Sequence, residues 1–264
     1  AWANVLFEID EDAAAAEVEY LSALDLDPDA ADVHRAYGDF LGSVGRPHES
    51  TREFETAISL DPASPILNKI MGDMRRGDFQ FEEALNYYQY ALQLEPEFHM
   101  ARAFAALTLA GLGRDSEART QAERVLATPG ESNLASMQAA RALYTIRDFD
   151  EALAALQTIR EHGPGYAPAW SVFAELERDS VDRAFAEYRI FADGRTSTPY
   201  PPLLLACVYA SSGDAGRARA LVEAAEAEAE QDGRIEDGSS FAALAYTALG
   251  EFDLAIENAD KARR

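Results

Sequence analysis

A single cysteine, Cys207, stands among 264 residues, which excludes an intrachain disulfide framework and leaves the redox compartment open. Lysine is almost missing as well: apart from Lys69 and Lys261 every Lys/Arg position is arginine, a bias we read as that of a bacterial genome. Positive charge is scarce overall, since 23 Lys and Arg face 47 Asp and Glu and leave a formal charge of −24. That excess disfavours direct binding to nucleic acid or to anionic lipid, and it supports solubility. Long apolar runs are also lacking. The most hydrophobic stretch, Ala101–Leu112, is too short to span a bilayer, so no membrane insertion is expected. No basic segment followed by an apolar one marks a leader, and a soluble protein, cytoplasmic in preference to periplasmic, is the reading.

The usual signatures of chemistry are missing too. His34, His48, His99 and His162 are scattered without metal-ligand spacing, and Cys207 has no companion thiol. Asp25, Asp27, Asp29 and Asp32 begin like a calcium loop, but Ala30 and Ala36 occupy the places where that loop needs Gly and Glu. There is no phosphate-binding loop and no nucleophile elbow, and no carboxylate pair is placed across a dry cleft. No cofactor, metal or catalytic residue is therefore assigned. Strand patterns are absent, since nowhere do four to eight residues alternate between turn signals.

What the chain does contain is a period. Ala31–Ser64 reads as two short amphipathic helices joined at Gly45-Arg46-Pro47 and closed by Leu60-Asp61-Pro62. Thirty-four residues on, Gly38 becomes Gly72, Phe54 becomes Tyr88, Ala57 becomes Ala91, Leu60 becomes Leu94 and Pro62 becomes Pro96. Thirty-four residues back, Tyr20, Ala23, Leu26 and Pro28 hold the corresponding places. A fixed period of this length marks stacked helical repeats, each burying its apolar face against its neighbours. Small residues at Gly38, Gly72, Ala57 and Ala91 let paired helices approach closely.

The later units are looser. The spacing predicts a repeat array over 1–193, in units of about 1–30, 31–64, 65–98, 99–130, 133–166 and 167–193. A Pro-rich linker follows at 194–202, and two further units over 203–264 continue the stack. In the first unit a clipped helix is expected around Trp2–Phe7 and a second over Asp12–Leu26. The turn at Arg178–Ser180 is shortened and lacks the expected Gly, so regular stacking is expected to falter there and at 194–202. The first and last units read as incomplete, which suggests a piece of something longer.

The pairing of Tyr37-Gly38, Ser50 with Phe54, and Pro62, repeated as Met71-Gly72, Ala84 with Tyr88, and Pro96, resembles the tetratricopeptide repeat. The resemblance runs over essentially the whole chain, with the first and last units incomplete. It implies an all-α, right-handed superhelical stack of helix-turn-helix units, whose first helices line a concave groove that holds a peptide or a partner helix. By helical spacing that face carries Arg35 and Asp39 beside Asp32, then Lys69 and Asp73 beside Arg76, then Met100 and Leu107 with Ala103 and Ala110. Further on it carries Leu134, Met137, Arg141 and Tyr144, and late in the chain Leu203 and Cys207. The groove is thus expected to run from charged to apolar. Some members of the family grip a C-terminal carboxylate with a Lys and an Asn one turn apart. Here Lys69 is followed by Asp73 and Arg35 by Asp39, so that clamp is not carried over. His34 takes the large-residue place of its repeat, and packing is its expected role.

Helix His99–Leu112 is apolar nearly all round and is expected to be buried on more than one face. Tyr87 and Tyr90 form a second candidate surface. The function that follows is a non-catalytic scaffold whose partner is a protein or peptide. Two alternatives stand beside it: a targeting or regulatory arm of a larger enzyme, and self-association into a homo-oligomer.

Overall fold

The computed structural model describes residues 13–128, 132–162, 167–178, 180–193, 200–232 and 235–261. Among these there are fifteen α-helices and no strand. By its internal contacts the chain divides into two compact units, Ala1–Ala127 and Thr128–Arg264. The first holds α1 (Ala13–Leu26), α2 (Ala31–Ser43), α3 (Pro47–Leu60), α4 (Pro65–Gly77), α5 (Phe81–Leu94), α6 (His99–Gly111) and α7 (Asp115–Leu126). The second holds α8 (Asn133–Thr145), α9 (Phe149–His162), α10 (Ala167–Glu177), α11 (Val181–Asp193), α12 (Tyr200–Ser211), α13 (Ala215–Asp232), α14 (Ile235–Leu249) and α15 (Phe252–Lys261). The helix expected around Trp2–Phe7 lies outside the described residues. So do 194–199 of the expected linker, whereas Tyr200-Pro201-Pro202 form the first turn of α12. Proline is tolerated there because the first-turn amides have no intrahelical acceptor to lose.

The repeat is visible in the backbone hydrogen bonds that end each first helix. The amide of Arg46 donates to the carbonyl of Leu41 at 2.9 Å, Gln80 to Arg75 at 2.8 Å, Arg114 to Leu109 at 2.9 Å and Asp148 to Leu143 at 2.9 Å. Each of these six-residue closures lies 34 residues beyond the last, and each satisfies a carbonyl that the helix end would otherwise leave unpaired. The next closure, Ser180 to Glu175, comes after 32 residues, Asp214 to Tyr209 after 34 more, and Glu251 to Tyr246 after 37. The turn at Arg178–Ser180, expected to be shortened, keeps the same six-residue closure; the two missing residues are lost from α10, which has 11 residues where α2, α4, α6 and α8 have 13. The second helix α13 runs on through the acidic stretch Glu223–Glu230 to Asp232.

Helix pairing depends on the small residues. A Cβ on Gly38 would sit 2.9 Å from the Phe54 ring, and one on Gly72 only 2.6 Å from the Tyr88 ring. The aromatic of each second helix thus lies against the bare backbone of the first, and Tyr88 is fully buried. In the first unit, Tyr20, Tyr37 and Phe40 stack together at centroid distances of 5.3–6.1 Å with Ala16 and Leu41. A cross-repeat tie backs this core: Tyr37 Oη donates to Glu17 Oε1 at 2.8 Å, and Arg46 Nη1 reaches the same oxygen at 2.5 Å. The same tie appears at the other end of the chain, where Tyr246 Oη donates to Glu226 Oε2 at 2.9 Å.

His34 does more than pack. Its Nε2 meets the carbonyl of the closing Pro28 at 2.9 Å and its Nδ1 meets Glu53 Oε2 at 2.7 Å. One repeat later Asn68 Nδ2 donates to the Pro62 carbonyl at 2.9 Å, and one later again Arg102 Nη2 donates to the Pro96 carbonyl. Residues 34, 68 and 102 thus form a 34-residue ladder of polar side chains, each fastening the start of a repeat to the proline that closes the previous one. For His34, burial alone would lower the imidazole pKa. The hydrogen bonds to Glu53 and to the Pro28 carbonyl outweigh it and leave the group raised.

Candidate functional site

In the first unit the first helices α2, α4 and α6 place equivalent residues at 34-residue steps: Asp32, Ile66 and Met100; Arg35, Lys69 and Ala103; Asp39, Asp73 and Leu107. The charged members neutralise one another along each helix. Arg35 Nη1 donates to Asp39 Oδ2 at 2.8 Å, and Lys69 Nζ sits 2.5 Å from Asp73 Oδ2. Asp73 is engaged on its other oxygen by Tyr88 Oη at 2.7 Å. Burial, and then the Asp73 carboxylate, push the Tyr88 hydroxyl well above the ordinary phenol range. Burial raises the Asp39 carboxyl, with Arg35 and Lys69 pulling the other way.

The helices are also joined side to side. Lys69 Nζ of α4 lies 4.9 Å from the centroid of the Phe104 ring on α6, and the Arg76 guanidinium lies 5.1 Å from it. Tyr88 stacks on the same ring at 6.1 Å. Cations held over an aromatic face keep their stems packed and their heads near solvent. Beside them Ile66 is 47% exposed, and Met100 and Leu107 are half-buried. Ala103 and Ala110 are buried, as the apolar helix α6 demands, so the apolar part of this face is Ile66, Met100 and Leu107.

The second unit repeats the device with other residues. The Arg141 guanidinium of α8 lies 4.9 Å over the Trp170 ring of α10, and its Nη1 donates to Gln138 Oε1 at 2.8 Å. Tyr144 meets Trp170 edge-on at 5.6 Å. Burial, reinforced by the Glu177 carboxylate, moves the Tyr144 hydroxyl up to about 12. Leu134 on α8 is exposed, whereas Met137 is buried.

The late part of the expected groove is closed. Leu203 and Cys207 of α12 are each 3% exposed, in a core made with Val222 and Ala225 of α13, Ala242, Ala245 and Tyr246 of α14, and Ala255 of α15. Burial carries the Cys207 thiol up to about 12, so it remains a neutral packing group. The physical reason is direct contact: the small Ala242 and Ala245 let α14 lie on α12, which leaves no gap for another chain. On the outer side of the first unit Tyr87 is half-buried and Tyr90 exposed.

Three features escaped the sequence reading. Ile66 was overlooked although it stands 34 residues from Asp32 and from Met100. Phe104 was hidden within an apolar helix, and nothing local marks it as the seat of two cations. The ladder at 34, 68 and 102 was legible as a period, but not as a set of bonds to proline carbonyls. Among the described residues no group of three or more His, Cys, Asp or Glu is placed to hold a metal ion, and no helix is long and apolar enough to cross a membrane.

Comparison with solved structures places this architecture among tetratricopeptide repeat folds. A tetratricopeptide repeat protein from Parabacteroides merdae is similar with a TM-score of 0.69 at 16% identity, covering 95% of this chain and 94% of that one. PilF of Pseudomonas aeruginosa gives 0.57 at 18% identity, over 73% of this chain and 88% of that one. PilW, a widely conserved type IV pilus biogenesis factor, gives 0.54 at 16% identity, over 87% and 91%. No family model and no curated protein matches the sequence.

Proposed function

We propose that the chain is a non-catalytic interaction scaffold, and that the inner face of its first unit, along α2, α4 and α6, holds a peptide or an amphipathic helix of a partner protein. One observation carries the reading. Ile66, Met100 and Leu107 offer apolar surface beside two cations, Lys69 and Arg76, fixed over the Phe104 ring. Apolar side chains supply most of the attraction in such a complex, and fixed charges set register. Arg35–Asp39 and Lys69–Asp73 are already paired, so they select against misplaced charge more than they add affinity. In the second unit Leu134, Arg141 and Tyr144 present a smaller face of the same kind. Leu203, Cys207 and Met137 contribute to folding instead of contact.

The test is partner capture by the chain carrying Ile66→Asp with Leu107→Asp. Loss of the proteins retained by the wild type, with helicity and melting temperature preserved, supports the reading. Unchanged capture refutes it. A buried position such as Met137 is unsuited to this experiment, because a charge there would disturb folding first.

A further inference from the structure

Charge is distributed unevenly over the first unit. The first helices α4 and α6 carry Lys69, Arg75, Arg76 and Arg102 against the single carboxylate Asp73, whereas the second helix α5 carries Glu82 and Glu83 and no cation. An acidic chain thus gathers cations along these first helices, and most of them are answered within the chain. Lys69 pairs with Asp73, Arg75 lies between Asp78 and Glu83, and Arg102 donates to Gln121 Oε1 and to the Pro96 carbonyl. Among the described residues of these two helices Arg76 is the exception. It is half-buried, its guanidinium lies 5.1 Å from the centroid of the Phe104 ring, and the Tyr88 hydroxyl stands beside it. No carboxylate of the described residues pairs with it, and its Nε is buried without an acceptor. The carboxylate at hand, Asp73, is held by Lys69 on one oxygen and by Tyr88 on the other. A half-buried cation without a counter-charge is unfavourable, and a carboxylate brought from outside relieves it.

We propose that Arg76 selects the partner: the segment held along the inner face is an acidic amphipathic helix, with a Glu or Asp side chain paired to the Arg76 guanidinium and apolar side chains on Leu107, one turn along α6 from Phe104. This rests on the reading of the inner face as a partner site and adds the charge of what it holds. Phe104 and Tyr88 fix the guanidinium in place, and a fork of donors already positioned takes a carboxylate with less loss of freedom. Arg35 and Lys69 are unsuited to that role, since each already faces its own carboxylate, Asp39 or Asp73. A chain end is the poorer occupant, because its carboxylate is fixed to the backbone, which would be brought against Asp73 one turn away. The acidity of the whole chain opposes such a segment at long range, so a preference for it has to come from this local arrangement.

The test uses the whole chain at physiological salt and a display library of helical peptides, about four turns long, with Leu fixed at helical spacing and the other positions random. The wild type enriches Glu or Asp at one position beside the leucines, and Arg76→Glu enriches Lys or Arg at that same position. A selected peptide, made with an amidated end, loses about tenfold in affinity when its acidic residue becomes Gln. Arg76→Gln loses about as much, and the two changes together lose no more than either alone. Arg76→Lys, which keeps the charge, binds within about threefold of the wild type. The change on the peptide leaves the protein untouched, so a loss there does not come from misfolding, and a loss below about twofold overturns the proposal. Selection without an acidic preference, or the same peptides from Arg76→Glu as from the wild type, overturns it too. The inner-face reading survives those results if Ile66→Asp with Leu107→Asp still loses the selected peptides. Retention of the peptides by that double variant, or no enrichment by the wild type, overturns both. A selected peptide that binds only with a free carboxyl end makes a chain end the occupant and overturns the side-chain pairing.

Discussion

Helices α4 and α12 occupy the same place in their repeats, and their corresponding residues have opposite fates. Lys69 and Asp73 of α4 keep their heads near solvent in an ion pair beside the Phe104 ring. Leu203 and Cys207 stand at the same register in α12, counted from the closures at Gln80 and Asp214, and are sealed under α14. One helical hairpin therefore presents either an open face or a core, depending on how close the next first helix comes. In the first unit α6 leaves Ile66 and Leu107 partly uncovered beside α4. In the second, Ala242, Ala245 and Tyr246 close on α12. A polar pair fits the open face and an apolar pair the closed one.

Exchanging the two pairs breaks the comparison most severely. Leu203→Lys with Cys207→Asp puts two charges into a dry core and costs about 4 kcal/mol or more. The reverse exchange, Lys69→Leu with Asp73→Cys, costs about 1–2 kcal/mol, from a modest ion pair and the lost acceptor of the Tyr88 hydroxyl. Denaturant titration of both variants measures the contrast, and equal costs would mean that the two faces are equally buried. Next in size is Gly72→Ala, expected to cost about 1–3 kcal/mol because the new methyl meets the Tyr88 ring. Gly77→Ala, with open space around it at the end of the same helix, is about 0.5 kcal/mol more stable than the wild type. Removing one rung of the proline ladder with Asn68→Ala leaves the Pro62 carbonyl without its side-chain donor, while the backbone amide of residue 68 still serves Ser64, and costs about 1 kcal/mol.

The smallest effect is a pH slope. The His34 imidazole has its folded pKa raised above the ordinary value, through Glu53 and the Pro28 carbonyl working against burial. Its contribution is fully present below the unfolded pKa near 6.5 and is lost as pH rises through the higher folded value. Thermal unfolding from pH 6 to pH 8.5 should therefore show the wild type losing stability relative to His34→Gln. Parallel curves would mean that the imidazole is not held protonated by these partners.

Much of this was legible in the residues. The recurrence of Gly38 at Gly72 and of Pro62 at Pro96 requires close-packed helix pairs closed by proline turns, and both hairpins form as read. The inner register was legible too, because a period of 34 fixes which residues share a face. Periodicity does not say whether the next repeat lies near or far, and so Leu203 and Cys207 read as groove when they are core. The turn at Phe79 was invisible for a related reason: Asp78-Phe79-Gln80 holds no glycine, and only the backbone angle, φ 61° at Phe79, shows that this turn takes the left-handed geometry that Gly45 and Gly113 take in theirs. Exposure at a single repeat depends on the residues of its neighbours, which no local pattern contains.

The contrast between an open early face and a closed late one is tested most directly by thiol labelling, since Cys207 is the sole cysteine. Under native conditions Cys207 should resist a thiol reagent until denaturant is added, while Ile66→Cys in a Cys207→Ala background should react nearly as fast as a free peptide thiol. Native-state labelling of Cys207 at a rate comparable with that of position 66 would contradict the account.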